Sequence, residues 1–257
     1  MPVQIGFRQP DAPAKPRRFM ETHPSIEKAK AYFDLQFNCP SCEHPTTTGP
    51  FVTISRECGT GGAVLATELA RRLDRLNDVD NAPWTVFDRN LVGRMLEDNH
   101  LSSSLARFLP EDKVSEIEAS VGEIVGLHPS IWTLVHQTNN LMRRLARAGN
   151  VILVGRGSNH AAEGCAQGLH VRIIGDAARR AERVAGLLGI TLEQANVYIR
   201  KADHARRDYV RSFFDADVDD PGSYDLTLNI TRLGIDGAVD LLVALLLRRG
   251  WRGRKRG

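Results

Sequence analysis

The sequence has no hydrophobic run long enough to cross a membrane. Its longest apolar stretch, 241–247, spans seven residues, whereas a transmembrane helix needs about 20. The N-terminus also lacks the basic start, apolar centre and small-residue cleavage site of a secretory signal peptide. We therefore expect a cytoplasmic protein without a membrane partner.

Cysteine is also scarce. Four cysteines in 257 residues do not make a disulfide framework in a chain of this size, so we expect a reducing compartment. Cys39 and Cys42, with His44 nearby, look like half of a zinc site, but a closed site needs four ligands and no second pair follows at suitable spacing. A loop with free thiols is the favoured interpretation, and zinc binding or redox pairing is the alternative.

The chain as a whole lacks a strong excess of either charge. Its net charge is +3 with histidine neutral, which by itself does not indicate a polyanionic partner. The exception is 248–257, where six residues are basic and none is acidic. We expect a disordered, solubilising basic tail there, with contact to nucleic acid as the alternative.

The composition is that of a soluble globular protein, with 42% hydrophobic and 25% charged residues. Residues 1–50 are rich in Pro, Thr and charged residues, with helical character only around 25–35. They predict a poorly ordered N-terminal extension. Short apolar runs then alternate with helical periods, which predicts one domain over 51–247.

Five short runs have the character of strands, and they are 51–55, 84–87, 151–154, 169–174 and 224–230. The last run alternates apolar with polar residues, which is typical of an edge strand with one wet face. Helical periodicity fills the intervals. Strands that alternate with helices predict an α/β fold, with a parallel sheet of about five strands, helices on both faces and a helical insert over 91–149. The main helices are expected at 65–76, 131–145, 177–188 and 235–247, with another beginning at a capping box of Thr191 and Gln194.

A glycine-rich loop follows the first strand and leads directly into a helical pattern. Small residues at such a place let backbone amides approach a phosphate, and the helix N-terminus adds its dipole. The sequence therefore predicts a phosphate-binding loop, and a connection that only packs helix against strand is the alternative. The loop residues are Arg56, Glu57, Cys58, Gly59, Thr60, Gly61 and Gly62.

This loop lacks two side chains that a standard phosphate loop uses. With Gly61 aligned on the second glycine, Gly62 stands where a lysine would reach the β- and γ-phosphates. Ala63 and Val64 occupy the two positions where a hydroxyl would hold Mg²⁺. We therefore expect compensating positive charge from Arg56 or from arginines later in the chain.

The stretch 54–62 resembles the "I-S-R-E-aromatic-G-S-G-G" signature of the cytidylate kinase-like family, with Cys58 at the aromatic position. Segments 87–91, 151–157 and 224–233 resemble further motifs of the same family. The likeness covers roughly 51–247. It implies a P-loop NTPase-type fold, ATP and Mg²⁺ as cofactors, and phosphoryl transfer to CMP or a related pyrimidine monophosphate.

The resemblance also implies roles for individual charged residues. Arg180 and Arg183 match the start of a lid that closes over the triphosphate, and we expect them to be catalytic. Arg156, Asp203 and Arg206 match substrate-binding positions. Positive charge around the moving phosphoryl group is what this chemistry requires. The alternatives are a solvated turn arginine, an exposed basic helix face and a surface ion pair.

Asp88, at the end of the second strand, is a further candidate for binding substrate or a water-bound Mg²⁺, although it could equally cap the following helix. A dinucleotide-binding oxidoreductase fits less well, because Val64 replaces the third glycine of that fingerprint and Asp88 lies about 30 rather than ~20 positions on. A nucleotide-binding regulator with little or no kinase turnover remains the main alternative, since the loop lacks its lysine and hydroxyl.

Overall fold

The computed structural model describes residues 27–29, 31–32, 49–77, 82–88, 131–155 and 157–251. Four features of the sequence analysis lie outside these residues: Cys39 with Cys42, the insert over 91–130, Arg156, and the tail beyond 251. The division into extension, domain and tail stays a prediction.

Five parallel strands form one sheet, in the order β2-β3-β1-β4-β5. They are β1 Phe51–Arg56, β2 Thr85–Phe87, β3 Val151–Val154, β4 Gly168–Ile174 and β5 Leu226–Asn229. The predicted α/β fold with a parallel sheet is confirmed, and β5 lies at an edge as its alternation indicated. Strand β1 is central, and the connections that leave β1 and β4 run to opposite sides of the sheet. Parallel sheets bind ligands at the carboxyl ends of strands at such a switch point.

The helices alternate with these strands. They are α1 Gly62–Leu76, α2 Ile131–Ala148, α3 Ser158–Ala161, α4 Ala177–Leu188, α5 Leu192–Phe214 and α6 Ile230–Arg248. The expected capping box is present, with the Thr191 hydroxyl accepting from the Gln194 amide and the Gln194 side chain accepting from the Thr191 amide. Among the described residues, no helix is both long and apolar enough to cross a membrane.

Both faces of the sheet are covered by helices. This explains why most of its strands appear in the sequence as nearly continuous apolar runs. On one face, α1 and α6 pack against side chains that include Val52, Ile54 and Ile173. On the other, α2 packs against Phe51, Val151 and Leu153. The described part of the N-terminal segment joins this second cluster, because Ala29 and Tyr32 are fully buried in it.

The final helix begins earlier than the sequence predicted. Asn229 caps it by accepting hydrogen bonds from the Thr231 and Arg232 amides, so the helix starts at Ile230 rather than at 235. Gly234 interrupts this helix with φ 68° and ψ 168°. The predicted segment 235–247 therefore forms the continuous part of α6 after this glycine, and the residues before it form a separate first turn that the periodicity did not predict.

Helices α4 and α5 form a helical hairpin at the carboxyl end of the sheet. Gly189 ends α4 in the left-handed conformation, and the capping box at Thr191 starts α5 two residues later. Small residues on the inner faces of both helices, Ala181 and Ala195, are buried against Cys58 of the loop after β1. The hairpin therefore rests directly on the predicted phosphate loop.

Replacing Gly149 by Ala should destabilise the fold by about 3 kcal/mol, because the cost of overpacking adds to the cost of a left-handed backbone conformation at alanine. Gly149 has φ +78°, and a Cβ there would lie 2.6 Å from the carbonyl carbon of Gly49. Gly164 is the matched control, since it has φ +75° and a Cβ there would have nothing within 4 Å. Its replacement by Ala should cost about 1 kcal/mol. Urea unfolding of both variants measures the difference, and equal costs would contradict the steric explanation.

Candidate functional site

The loop between β1 and α1 has the backbone of an anion-binding turn. Gly59 and Gly61 both adopt φ +82°, a region that side-chain-bearing residues avoid. Helix α1 begins after Gly61 without a side-chain cap and with no acidic residue in its first turn. Its first amides are therefore left for a ligand, and the helix dipole favours a negative one.

Glu57 fixes the base of this loop. Its amide donates to the Ile173 carbonyl at 3.0 Å, and its carboxylate accepts from the Gly175 amide at 2.9 Å. Its own carbonyl accepts from the Thr60 hydroxyl at 2.8 Å. The loop is thus tied to the end of β4, and the Thr60 hydroxyl is engaged within the loop. The sequence analysis placed Glu57 in the loop but gave it no role.

The arginines expected to replace the missing lysine lie against the glycines of the loop. A Cβ at Gly61 would be 2.8 Å from the Cζ of Arg183, so this guanidinium lies directly over the start of α1. A Cβ at Gly62 would be 3.1 Å from the Cγ of Arg56. The Arg56 side chain also contacts Gly155 after β3. Arg56 therefore occupies the space beside Gly62 in which a lysine side chain would have to run.

One carboxylate joins the loop to the helical hairpin. Asp203 accepts from the Cys58 amide at 2.7 Å and from the Arg206 guanidinium at 3.0 Å through Oδ1. Its Oδ2 accepts from Nη1 of Arg180 at 2.7 Å. The same Arg180 nitrogen donates to the Cys58 carbonyl at 3.2 Å. The structure thus brings together Arg180, Asp203 and Arg206, and their roles in catalysis and substrate binding stay predictions.

Cys58 is packed rather than reactive. It is 8% exposed and lies in a cluster with Ala181, Val184, Ala195 and Ile199. Burial raises the pKa of its thiol, although the neighbouring Arg206 opposes that shift. A buried thiol of raised pKa stays protonated at neutral pH and is a poor nucleophile.

Two cavities open on opposite sides of the loop. The first cavity has a volume of about 590 Å³ and lies between the loop, Gly175, the start of α4 and the start of α6. It is lined by Gly59, Thr60, Gly175, Arg179, Arg180, Glu182, Arg183, Ile230 and Thr231.

The second cavity has a volume of about 400 Å³ and lies between the ends of β1 and β3 and the helix α5. Its walls include Arg56, Arg172 and Arg206, and no carboxylate is among its described lining residues. Both volumes are of the size that small-molecule ligands fill. Both cavities are lined by arginines and lie beside the predicted phosphate loop.

Arg172 was not singled out from the sequence. It stands in β4 opposite Ser55 of β1, and its Nη1 donates to the Ser55 hydroxyl at 2.9 Å. The Tyr224 hydroxyl donates to the Val218 carbonyl at 2.9 Å and lies 3.2 Å from the Ser55 oxygen. The only signal in the sequence was one arginine inside a predicted strand that is apolar apart from His170.

Asp88 follows β2, an edge strand. Strand β3 lies between it and β1, so the backbone at Asp88 is roughly 10 Å from that of the central strand. The structure therefore does not bring Asp88 to the loop in the way it brings Arg180, Asp203 and Arg206. Its role in substrate binding stays a prediction, as does that of Arg156, which lies outside the described residues.

Comparison with known proteins gives a family and a fold. The sequence profile of the cytidylate kinase-like family matches residues 51–232. Among curated proteins, none matches the sequence.

The likeness to one solved structure supports the fold. A crystal structure of an uncharacterized protein from Eubacterium ventriosum aligns with a TM-score of 0.53 at 19% identity, covering 78% of this chain and 99% of that one. A shikimate kinase from Bacteroides thetaiotaomicron aligns over 77% of this chain and 98% of its own length, at 15% identity. Its TM-score of 0.40 is too low to add to the fold assignment.

Asp203→Ala should destabilise the protein by roughly 1–3 kcal/mol, the range for losing hydrogen bonds to a charged group. The substitution leaves the Cys58 amide without its acceptor and Arg180, whose side chain is 12% exposed, without its closest carboxylate. Asp208→Ala is the control on the same helix, because Asp208 only pairs with exposed His204 and should cost little. Urea unfolding gives the stabilities, and hydrogen exchange of peptides covering 56–61 should be faster in the first variant alone. Equal exchange in both variants would show that Asp203 does not hold the loop.

Proposed function

Because this chain belongs to the cytidylate kinase-like family, we propose that it is a phosphotransferase that moves the γ-phosphoryl group of ATP to CMP or a related pyrimidine monophosphate. In this proposal Gly59, Thr60, Gly61 and Gly62 hold the donor phosphates. Arg180 and Arg183 act on the transferred group, and Arg56 and Arg206 face the acceptor.

The observation that carries the proposal is the position of Arg183. Its guanidinium lies over Gly61 and the uncapped start of α1, and it has no carboxylate partner among the described residues. Because a phosphate loop without a lysine needs another cation near its β- and γ-phosphate positions, an unpaired guanidinium at this place supplies the missing charge. Arginine also offers a planar fork that matches phosphate oxygens.

The two cavities suit the two substrates. ATP in the first cavity, which we call the donor cavity, would supply the phosphoryl group, with its phosphates on the loop amides and its remainder toward Ile230 and Thr231. The acceptor would lie on the other side of the loop, in the second cavity, which we call the acceptor cavity. An oxygen of the acceptor phosphate then forms a bond to the γ-phosphorus while the bond to the β,γ-bridging oxygen breaks, and ADP is released.

The acceptor cavity fits an acceptor that is itself a phosphate. A phosphate monoester is already largely ionised at neutral pH, because its second pKa is about 6. Such a nucleophile needs no general base, which agrees with the absence of a carboxylate among the described lining residues of that cavity. An alcohol acceptor would instead need a group to take up its proton.

The described residues do not offer a protein-built Mg²⁺ site. They contain no group of three His, Cys, Asp or Glu side chains placed to hold a metal ion, and the Thr60 hydroxyl donates to Glu57. Mg²⁺ usually keeps several waters and binds through substrate phosphates. In this proposal Mg²⁺ therefore arrives as the complex with ATP, and no step is assigned to it.

A nucleotide-binding regulator without turnover is the second candidate. It is favoured by the pairing of Arg180 with Asp203 and, at 3.5 Å, with Glu57. Arg206 is paired with Asp203 as well. Two of the four arginines assigned to the reaction are thus engaged with carboxylates, and turnover would require their contacts to be shared with substrate.

The two candidates predict different results in one experiment. Purified protein is incubated with ATP, Mg²⁺ and each of CMP, dCMP, UMP, AMP and GMP, and ADP release is measured beside a binding titration of the same nucleotides. The phosphotransferase should release ADP fastest with a pyrimidine monophosphate. Binding of nucleotides without ADP release supports the regulator, and the absence of both would contradict both functions.

Arg183→Gln should lower kcat/KM by about 10²-fold or more, the cost of removing one donor that stabilises transition-state charge. It should also weaken binding of a non-hydrolysable ATP analogue. Arg211→Gln is the control, since Arg211 is an exposed arginine of the same hairpin that lines neither cavity. Steady-state kinetics and calorimetry provide the measurements. Similar losses in both variants would show that general positive charge, rather than the placement of Arg183, matters.

A further inference from the structure

Arg172 is a buried guanidinium in the wall of the acceptor cavity. Its side chain is only 7% exposed, and it lines the cavity together with Ser55 and Arg206. The strand register explains its place, because Arg172 pairs with Ser55 one residue before the end of β1. Side chains at these positions lie just beneath the start of the phosphate loop.

The hydrogen bonds of Arg172 leave it incompletely satisfied by the protein. It donates once to Ser55 and once, at 2.7 Å, to the carboxylate of Asp219. A guanidinium has five N–H donors, and the others have no partner among the described residues. Burying a charged donor without acceptors is costly, so an anionic ligand in the cavity would complete its hydrogen bonding.

The counter-ion of Arg172 is also shared. The carboxylate of Asp219 accepts from Nε of Arg207 at 2.8 Å as well, so two guanidinium groups rely on one carboxylate. Burial would raise the pKa of Asp219, but the hydrogen bonds from Arg207 and Arg172 outweigh it and lower that pKa overall. Asp219 therefore stays ionised at neutral pH, and the three groups together still carry an excess positive charge.

The wall opposite contains a second unsatisfied group. The hydroxyl of Tyr209 is buried, lines the same cavity and has no hydrogen-bond partner among the described residues. A buried hydroxyl without a partner costs free energy that a polar ligand would recover. Two independent groups, on β4 and on α5, thus indicate that the cavity is completed by a polar, anionic ligand.

From these observations we infer that Arg172 binds the phosphate group of the acceptor, with Asp219 holding its guanidinium in place. The inference rests on the proposed function in taking this cavity as the acceptor site. The ligand class is a phosphate monoester, because a phosphate offers several acceptor oxygens to the donors of Arg172 and Arg206 at once. Arg172 is thereby a residue that selects for phosphorylated acceptors.

Arg172→Met is the informative substitution. Methionine keeps much of the volume, and Asp219 retains Arg207 and a side chain that is 44% exposed, so no buried carboxylate is left unpaired. We expect the affinity for CMP to fall by roughly 10- to 100-fold, the range for hydrogen bonds to charged groups. The CMP affinity of Arg172→Lys should lie between those of the wild type and Arg172→Met, because a point charge cannot reproduce the fork of arginine.

Calorimetric titrations with CMP, cytidine and a non-hydrolysable ATP analogue test the inference on wild type and variants. Arg207→Met is the matched control, since Arg207 shares Asp219 but does not line the cavity, and its affinity for CMP should stay within about twofold. In Arg172→Met the affinities for cytidine and the ATP analogue should be unchanged.

Four results would overturn the inference. Three concern Arg172→Met: unchanged CMP affinity, equal weakening of CMP and cytidine binding, and equal weakening of CMP and ATP-analogue binding. The fourth is equal weakening of CMP binding in Arg172→Met and Arg207→Met, which would show a structural effect of Asp219. Failure of the proposed phosphotransfer would instead appear as absent ADP release by the wild type, which these binding measurements do not depend on.

Discussion

The carboxylate of Asp203 holds the functional end of this molecule together. It accepts hydrogen bonds from the Cys58 amide of the phosphate loop and from the guanidinium groups of Arg180 and Arg206 on the helical hairpin. Loop conformation and hairpin position therefore depend on one acceptor. Since Arg183 is carried by the same hairpin, the charge over Gly61 is positioned indirectly by Asp203.

Close approach between loop and hairpin depends on small side chains. A Cβ at Gly59 would be 2.7 Å from the Arg180 carbonyl oxygen, and Cys58 fills a narrow space between Ala181 and Ala195. A larger side chain at position 58 would need a wider gap between loop and hairpin, so the small volume of Cys58 and of the two alanines allows the close approach.

Much of this arrangement could be predicted from local pattern. Apolar runs identified the strands, and Thr191 with Gln194 identified the start of α5. Glycines after a strand predicted the turn between β1 and α1, and phosphate binding there stays a prediction. Contacts between residues distant in sequence could not be predicted. Arg172 meets Ser55 only through the register of β1 and β4, and it meets Asp219 only through the path of the chain after α5. Glu57 likewise fixes the base of the loop only through its hydrogen bond with the distant Gly175.

The first turn of α6 was not predicted because the non-helical Gly234 interrupts the helical periodicity between this turn and the rest of the helix.

The two sides of the loop differ in how their positive charge is held. On the donor side Arg179 and Arg183 are exposed, so their side chains can adjust to a ligand. On the acceptor side Arg172 is buried and fixed by Ser55 and Asp219, so its charge is preorganised and costs little to align. A standard phosphate loop places its lysine on the loop itself. In the proposed function the same charge comes from Arg183 on the hairpin, and donor affinity should therefore depend on any change that moves the hairpin relative to Gly61. The proposed acceptor site draws on both parts of the fold, since Arg172 belongs to the sheet and Arg206 to the hairpin.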